Sequence, residues 1–303
     1  MWRYAVKRLL LAVLTVFIII VITFFTMNSI PGGPFESEKA PEPSVRRMLE
    51  ARYNLDKPLG EQFMIYLGNM LHGDFGISLK SGREILDTIL EGFAISSKLG
   101  GMAAAVAIVV GLVLGSIAAL CRNKWPDRVI IFFTTLFVSV PSFVLATLLL
   151  LIFCLRLGWF QVWSASNQSY LLPVISLALY PMAYITRLTK SSMLDVLGQD
   201  YIRTARAKGL KEISVIGKHA LRNALIPVIT YVGPMIAYIL TGSLVVETVF
   251  TIGGLGSKFV TGISQRDYPM IMATTIFLAT LMVVMTLISD LIYKAVDPQI
   301  SFE

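Results

Sequence analysis

DYIRTARAKGLKEISVIGKHALRNALIP, running from Asp200 to Pro227, decides how this chain of 303 residues is to be read. It is basic, has few strong apolar runs, and lies between hydrophobic segments long enough to cross a bilayer. The portion from Tyr201 to Leu210 allows a short helix stopped at Gly209, a residue suited to a left-handed C-terminal position. A second helix can follow from Glu212 to Leu225. The product is a helical elbow that carries basic side chains out of the membrane and offers them to a soluble partner. A surface-lying amphipathic helix on anionic lipid is the competing reading. The glycine interruption and the flanking spans favour protein docking.

Working outward, the chain is 55% hydrophobic and 15% charged with a mean hydropathy of +0.73, outside the usual balance of a soluble domain. It reads as an all-α integral membrane protein with about six spans: Leu9 to Ile30, Leu99 to Cys121, Val129 to Leu155, Leu171 to Thr186, Leu225 to Val246 and Met270 to Ala295. The fourth is short and contains Pro181. Arg3, Lys7 and Arg8 precede the first run, a flank that stays in the cytoplasm. A signal peptide is the competitor, but its apolar region is only about 7–15 residues long and ends at a small-residue cleavage site. The run here is longer and is read as a retained anchor.

Threading six spans from an inside N-terminus puts both termini in the cytoplasm. It also leaves Arg122, Lys124 and Arg128 inside, together with the basic residues of the 187–224 segment. Those inner loops account for most of the net charge of +7, which makes nucleic acid a poor partner and membrane lipid the surrounding one. Cys121 and Cys154 fall near opposite membrane faces, so no disulfide is expected.

The organisation that follows is an anchor at 1–30, an extracytoplasmic cap at 31–98, a five-helix core at 99–296 and a cytoplasmic tail at 297–303. Ser44 can cap a helix from Val45 to Tyr53, a second helix can run from Leu59 to His72, and a third from Arg83 to Glu91. Pro141, Pro181 and Pro234 lie inside apolar runs and favour kinks that open a cavity between helices. Gly111 and Gly115 have the spacing that brings two helices close, here within one chain. Among ionisable residues, Asp290 lies inside the last span and reads as a structural carboxylate, and Glu247 ends the fifth.

Chemistry is scarce. No phosphate-binding loop occurs; Gly253 to Lys258 has the wrong spacing, and its glycines read as turn formers in an outer re-entrant segment. His72 and His219 fall on opposite sides of the membrane, which leaves no shared metal site. No nucleophile is accompanied by a base, so the chain is expected to be non-catalytic, to bind no cofactor, and to draw any driving energy from another subunit.

The elbow resembles the cytoplasmic coupling loop of binding-protein-dependent ABC importer permeases, in particular the peptide-type group with its YIRTARAKGL wording. The wider family's signature is Glu-Ala-Ala, three residues, then Gly. Arg203, Thr204 and Ala205 fill the first places here and Gly209 the last, a departure that matches the peptide-type variant. The wider family's Pro falls where Arg222 stands, and here a Pro follows only at Pro227. Further matches run in order: Ile30 to Phe35, His72 to Gly76, Val246 to Phe250, Gly253 to Gly256, Arg266 to Tyr268, and Asp297-Pro298. Together they resemble the B-type subunit of oligopeptide permeases.

The resemblance implies the type I ABC importer permease fold, with a homologous second permease, two ATPase subunits carrying ATP and Mg, and an extracytoplasmic peptide-binding protein as partners. It implies an ATPase-coupling role for Asp200, Tyr201, Arg203, Thr204, Ala205, Lys208, Gly209, Leu210 and His219. A peptide recognised through its backbone needs a roomy cavity with hydroxyls, for which Ser139, Pro141, Ser142, Ser176 and Tyr180 are candidates. Each of the serines can equally satisfy a helix carbonyl. Related permeases carry dipeptides, nickel complexes or other small solutes. A stand-alone secondary carrier depending on Asp290 and a docking scaffold are the readings from other classes.

Overall fold

The computed structural model describes residues 2–30, 56–164 and 166–296. The expected helix from Val45 to Tyr53 with its Ser44 cap, the stretch from Pro31 to Phe35, and the tail with Asp297-Pro298 lie outside the described residues. Eleven helical units follow one another, with a single isolated antiparallel bridge between Ile77 and Glu84, among the described residues. They are α1 (Trp2–Asn28), α2 (Leu59–Leu71), α3 (Ile85–Leu120), α4 (Trp125–Ser139) and α5 (Ser142–Leu149), which continues as a π-helical stretch over Leu150–Arg156. Next come α6 (Leu171–Leu197), α7 (Asp200–Ala207) and α8, which starts at Glu212–Ser214, widens to a π-helix over Val215–Leu221 and runs on through Arg222–Gly242. The last three are α9 (Leu244–Val249), α10 (Leu255–Gln265) and α11 (Tyr268–Val296).

The centre of the fold is α3. At 36 residues it is about 54 Å long, well beyond a hydrocarbon core of about 30 Å. Its buried positions include Gly92, Ser96, Gly100, Ala103, Ala107, Gly111, Gly115 and Ala118, a stripe of small residues at intervals of three and four. Hydrophobic burial gives little reason for two helices to associate within lipid, so close van der Waals approach does that work, and small residues permit it. A Cβ on Gly115 would stand 2.6 Å from the Thr186 carbonyl oxygen, and one on Gly111 would stand 2.8 Å from the Ile185 side chain. The glycine pair therefore packs α3 against α6 within this chain. Gly100 meets Leu240 and Ile239 of α8, and Gly92 meets the Leu255 backbone at the start of α10.

Because Gly111 meets Ile185 and Gly115 meets Thr189, α3 and α6 run in the same direction. The chain must return between them, and α4 with α5 makes that return. The expected continuous span from Val129 to Leu155 is broken, with the two halves bent by 103° at Val140 and Pro141. Pro126 starts α4 at a position where a missing N–H costs nothing. Pro141 ends it by forcing Val140 into extended backbone (φ −92, ψ 127). Pro181, by contrast, leaves α6 unbroken, and this span runs to Leu197 rather than to Thr186. It is clamped along its length by α3. Five helices are long and apolar enough to cross a membrane among the described residues, and the bent pair makes six.

The expected helix from Arg83 to Glu91 is not separate; it forms the first turns of α3. The expected helix from Leu59 is α2, which rests Phe63 and Tyr66 on Phe24 of α1 at centroid distances of 5.3 and 5.6 Å. Burial there pushes the Tyr66 phenol up. Arg8 of α1 pairs with Asp290 of α11 at 2.9 Å, which gives the last span's carboxylate a structural partner.

Candidate coupling elbow and buried polar sites

The first arm of the elbow, α7 with its stop at Gly209, forms where the sequence places it; the second, expected to end at Leu225, runs on without a break into the span of α8. Over α7, Ile202 and Ala205 turn inward onto Met193, Val215, Ala220 and Ala224, joined by Ala119 from the far end of α3. The opposite face, with Asp200, Tyr201, Arg203, Thr204 and Lys208, is exposed. Gly209 has φ +74, and the chain closes through Gly209 N–H to the Arg206 carbonyl (2.9 Å) and Leu210 N–H to the Ala205 carbonyl (3.4 Å). That pair of bonds is the Schellman arrangement, which requires a left-handed residue at this place. Space is not the constraint, since nothing lies within 4 Å of where a Cβ would be.

Beyond the turn the Arg206 guanidinium meets both carboxylate oxygens of Glu212 at 3.2 and 2.6 Å, tying α7 to the start of α8. The Glu212 hydrogen bond raises the Arg206 guanidinium further, so it stays charged. The Tyr201 hydroxyl accepts from Asn223 Nδ2 at 3.0 Å. The tip carries Leu210 at 42% and Ile213 at 85% exposure beside Lys208 and Lys211, an apolar knob inside a basic rim. His219 is half-buried in the π-helical stretch, and its carbonyl accepts from Asn223.

An ion pair ties α6 to the start of α4. Lys190 of α6 donates to Asp127 of α4 at 2.5 Å, and Asp127 also accepts the backbone N–H of Asn123 at 2.9 Å. Asp127 is 4% exposed, so both bonds are needed to offset the loss of water around its charge.

At the other end of α3, Glu247 of α9 is completely buried. Its Oε1 accepts from Ser96 Oγ at 2.6 Å and from Ser243 Oγ, and its Oε2 accepts the backbone N–H of Ser257 at 3.2 Å. Ser96 Oγ in turn accepts Leu255 N–H at 2.8 Å. Glutamate and serine thereby satisfy two of the free donors at the start of α10, and the carboxylate faces the positive end of that helix. The Gly254 and Gly256 backbones are not in left-handed conformation, which corrects the turn-former reading. They are small because a Cβ on Gly254 would collide with the Glu247 carboxylate, and one on Gly256 would stand 2.7 Å from Leu244 Cα. Nearby, Asp267 takes Ser78 Oγ (2.5 Å), Leu79 N–H (3.3 Å) and Met270 N–H (3.4 Å), fixing the 76–84 loop to the start of α11.

The pathway candidates separate. Ser176 is buried and donates to the Pro173 carbonyl at 2.9 Å, so it is occupied within its helix. Ser139 is exposed beside the bend at Pro141 and donates to the Thr135 carbonyl at 2.8 Å, and Ser142 is half-buried just beyond. Tyr180 is 41% exposed on α6. The structure adds Tyr184, stacked on Tyr231 of α8 at 4.2 Å, which sequence reasoning missed. The signal was available: Tyr180 and Tyr184 share a helix face by their spacing of four. No cluster of three or more potential metal ligands occurs among the described residues.

Comparison with known proteins agrees with this architecture. The family model described as "Binding-protein-dependent transport system inner membrane component" matches residues 111–302, and its N-terminal companion matches residues 1–99. The dipeptide transport system permease protein DppB of Bacillus subtilis (strain 168) is 46% identical, covering 99% of this chain and 98% of its own. The oligopeptide transport system permease proteins OppB of Haemophilus influenzae and Escherichia coli (strain K12) are 44% and 39% identical over 100% of both chains. Among solved structures, an amino acid ABC transporter chain and a chain of the MetNI methionine ABC transporter superpose with TM-scores of 0.54 and 0.55 at 17% identity. They cover 69% of this chain and 94% and 96% of their own, and they share its fold. An all-helical membrane chain with a projecting elbow and a full-length match to this family belongs to the binding-protein-dependent transport system inner membrane components, with the fold of a type I ABC importer permease.

Proposed function

We propose that this chain is one of two homologous permease subunits in an ATP-driven importer that moves oligopeptides across the cytoplasmic membrane. The observation that carries the reading is the elbow: a short helix stopped by a left-handed glycine, anchored by Ile202 and Ala205, that presents Leu210 and Ile213 within a basic rim. Such a knob suits a cleft on a soluble subunit. Two ATPases, each with ATP and Mg, supply the energy, and the chain itself performs no covalent chemistry. The elbow and both termini face the cytoplasm, and the 31–98 cap faces an extracytoplasmic peptide-binding protein. Residues 1–30 act as the anchor, 99–296 as the core with its coupling segment 187–224, and 297–303 as the tail. The α3 helix carries the boundary between cap and core. Movement of the ATPases reaches the spans through Gly209 and the Asp127–Lys190 ion pair.

Peptides are favoured as solute by the full-length likeness to proteins named as peptide permeases. Dipeptides are a second reading, because the B. subtilis relative is named for them. Purification of the tagged chain from native membranes in mild detergent tests the assembly. Recovery of a second permease and ATPases with it is expected. Recovery of the chain alone from an intact preparation would overturn the proposal in favour of a stand-alone carrier.

A further inference from the structure

The α6 helix is the most deeply packed of the spans, with 61% of its apolar window buried. Beyond Leu171 at its start, its exposed residues are Tyr180, Tyr184, Arg187, Ser191 and Asp195. These fall at intervals of four, three, four and four, so they form one stripe about 22 Å long. None of the five is aliphatic. The contrast with α1 is internal to the molecule: its exposed side includes Leu10, Val13, Leu14, Phe17, Ile18 and Ile22, a surface made for lipid. Lys190 meets Asp127 at the start of α4, so Ser191 and Asp195 lie at the aqueous end of the stripe; the part within the span, Tyr180, Tyr184 and Arg187, is not lipid-facing, because hydrocarbon satisfies none of their hydrogen bonds.

The neighbouring helix continues the same surface. Tyr231 of α8 stacks on Tyr184 at 4.2 Å with the rings inclined by 29°. Pro227 and Pro234 lie inside α8, are exposed, and remove the backbone donors that the carbonyls of Asn223 and Thr230 would otherwise meet. Tyr238, 61% exposed, follows one turn after Pro234. The Thr230 carbonyl lies next to Tyr231 and its stacked partner Tyr184, and the Asn223 carbonyl lies two turns nearer the elbow. Arg187, which makes no ion pair among the described residues, stands one turn beyond Tyr184 toward the elbow.

Resting on the reading of the chain as a peptide permease, we propose that Tyr180, Tyr184 and Arg187 of α6, with Tyr231 of α8, form a binding surface for the main chain of the transported peptide. An extended peptide alternates N–H and C=O groups, which phenols and freed carbonyls pair with whatever the side chains, and aromatic faces accept varied side chains without selecting one. Arg187 takes the terminal carboxylate. A helix–helix contact with the second permease is the competing occupant. The close helix contacts of α3 are built on a stripe of small residues, and none of these four is small.

The test uses the assembled complex in proteoliposomes, supplied with binding protein and ATP, and a fluorescently labelled tetrapeptide as the probe. Tyr184→Ala is expected to raise KM for the peptide about tenfold, the factor that corresponds to one lost hydrogen-bonded contact. Tyr184→Phe, which keeps the stack and loses the hydroxyl, is expected to fall between. Leu10→Ala on the lipid-facing side of α1 should behave as the unsubstituted complex. In a background with Cys121→Ser and Cys154→Ser, Tyr184→Cys should react with a water-soluble thiol reagent, and unlabelled tetrapeptide should slow that reaction. Reaction without protection, or oxidative cross-linking of Tyr184→Cys to the second permease in every nucleotide state, would overturn the proposed surface. If the unsubstituted complex takes up no peptide, the functional reading falls and this surface with it. If it takes up peptide and KM is unchanged in Tyr184→Ala, the surface alone falls.

Discussion

Replacing Glu247 by alanine removes the acceptor for three groups at once: the Ser96 hydroxyl, the Ser243 hydroxyl and the Ser257 backbone N–H. All lie around a side chain with no exposed surface. An unmade buried hydrogen bond costs about 1 kcal/mol or more, so the three donors together lose about 3 kcal/mol. The start of α10 also loses the negative charge that faces its dipole. Removing a buried charge relieves some desolvation, which keeps the loss at the lower end of the range. For a chain of this size, melting falls by roughly 2–4 °C per kcal/mol, which gives a drop of about 6–12 °C. Glu247→Gln keeps one oxygen for the two hydroxyls but turns an amide donor toward Ser257 N–H, so its loss should be about a third as large. The assay is thermal unfolding of the solubilised complex, followed by the loss of the monodisperse peak in size-exclusion chromatography. An alanine variant that melts within about 1 °C of the parent, or a glutamine variant as damaged as alanine, would refute the argument that these hydrogen bonds hold the α9–α10 turn.

Gly209→Val places a β-branched residue at φ +74, a strain of about 1–2 kcal/mol at the one turn that shapes the elbow; the chain should stay in the membrane while peptide uptake is lost, checked by immunoblot and uptake in parallel. Gly115→Val drives side-chain atoms into the Thr186 carbonyl and the Thr189 side chain. Because the clash is with backbone, α3 and α6 must separate, and assembled complex should fall well below the parent level in native gels. Gly101→Val on the same helix is the control, since a Cβ there meets nothing within 4 Å and the complex should assemble as the parent does. Asp127→Ala strands Lys190, at a cost of about 3 kcal/mol for a pair that is only partly sheltered; the double variant with Lys190→Met should recover about 1 kcal/mol or more of that loss in a double-mutant cycle, and strict additivity would show that the pair is not coupled.

How much of this was legible in the chain depends on how local each signal is. Apolar length marked the spans, and glycine between two basic helical pieces marked the elbow, because both signals sit within one stretch of sequence. The bend at Pro141 was half visible. A proline announces a kink, but a bend of 103° comes from Val140 entering extended backbone, and the apolar run shows no interruption there. Pro181 gave the same warning and no break, since α3 holds both ends of that helix in place.

The buried polar sites were the least legible, for a physical reason. Glu247 takes one of its hydrogen bonds from Ser96, 151 residues earlier, and Asp127 finds Lys190 63 residues later. No local pattern in the sequence announces such partners. Gly254 and Gly256 misled in the same way: glycine is used for turns and for close approach, and only the position of the Glu247 carboxylate distinguishes the two. Tyr184 was missed because its partner Tyr231 belongs to another span.

Under the proposed function, movement of peptide by this chain depends on a larger assembly and on ATP. That dependence is tested most directly by reconstituting the purified complex in proteoliposomes and following uptake of a labelled peptide with binding protein outside and ATP at the elbow face. The predicted result is accumulation that requires ATP and both permeases, and that disappears with Gly209→Val. Uptake by this chain alone, without ATP or partners, would contradict it.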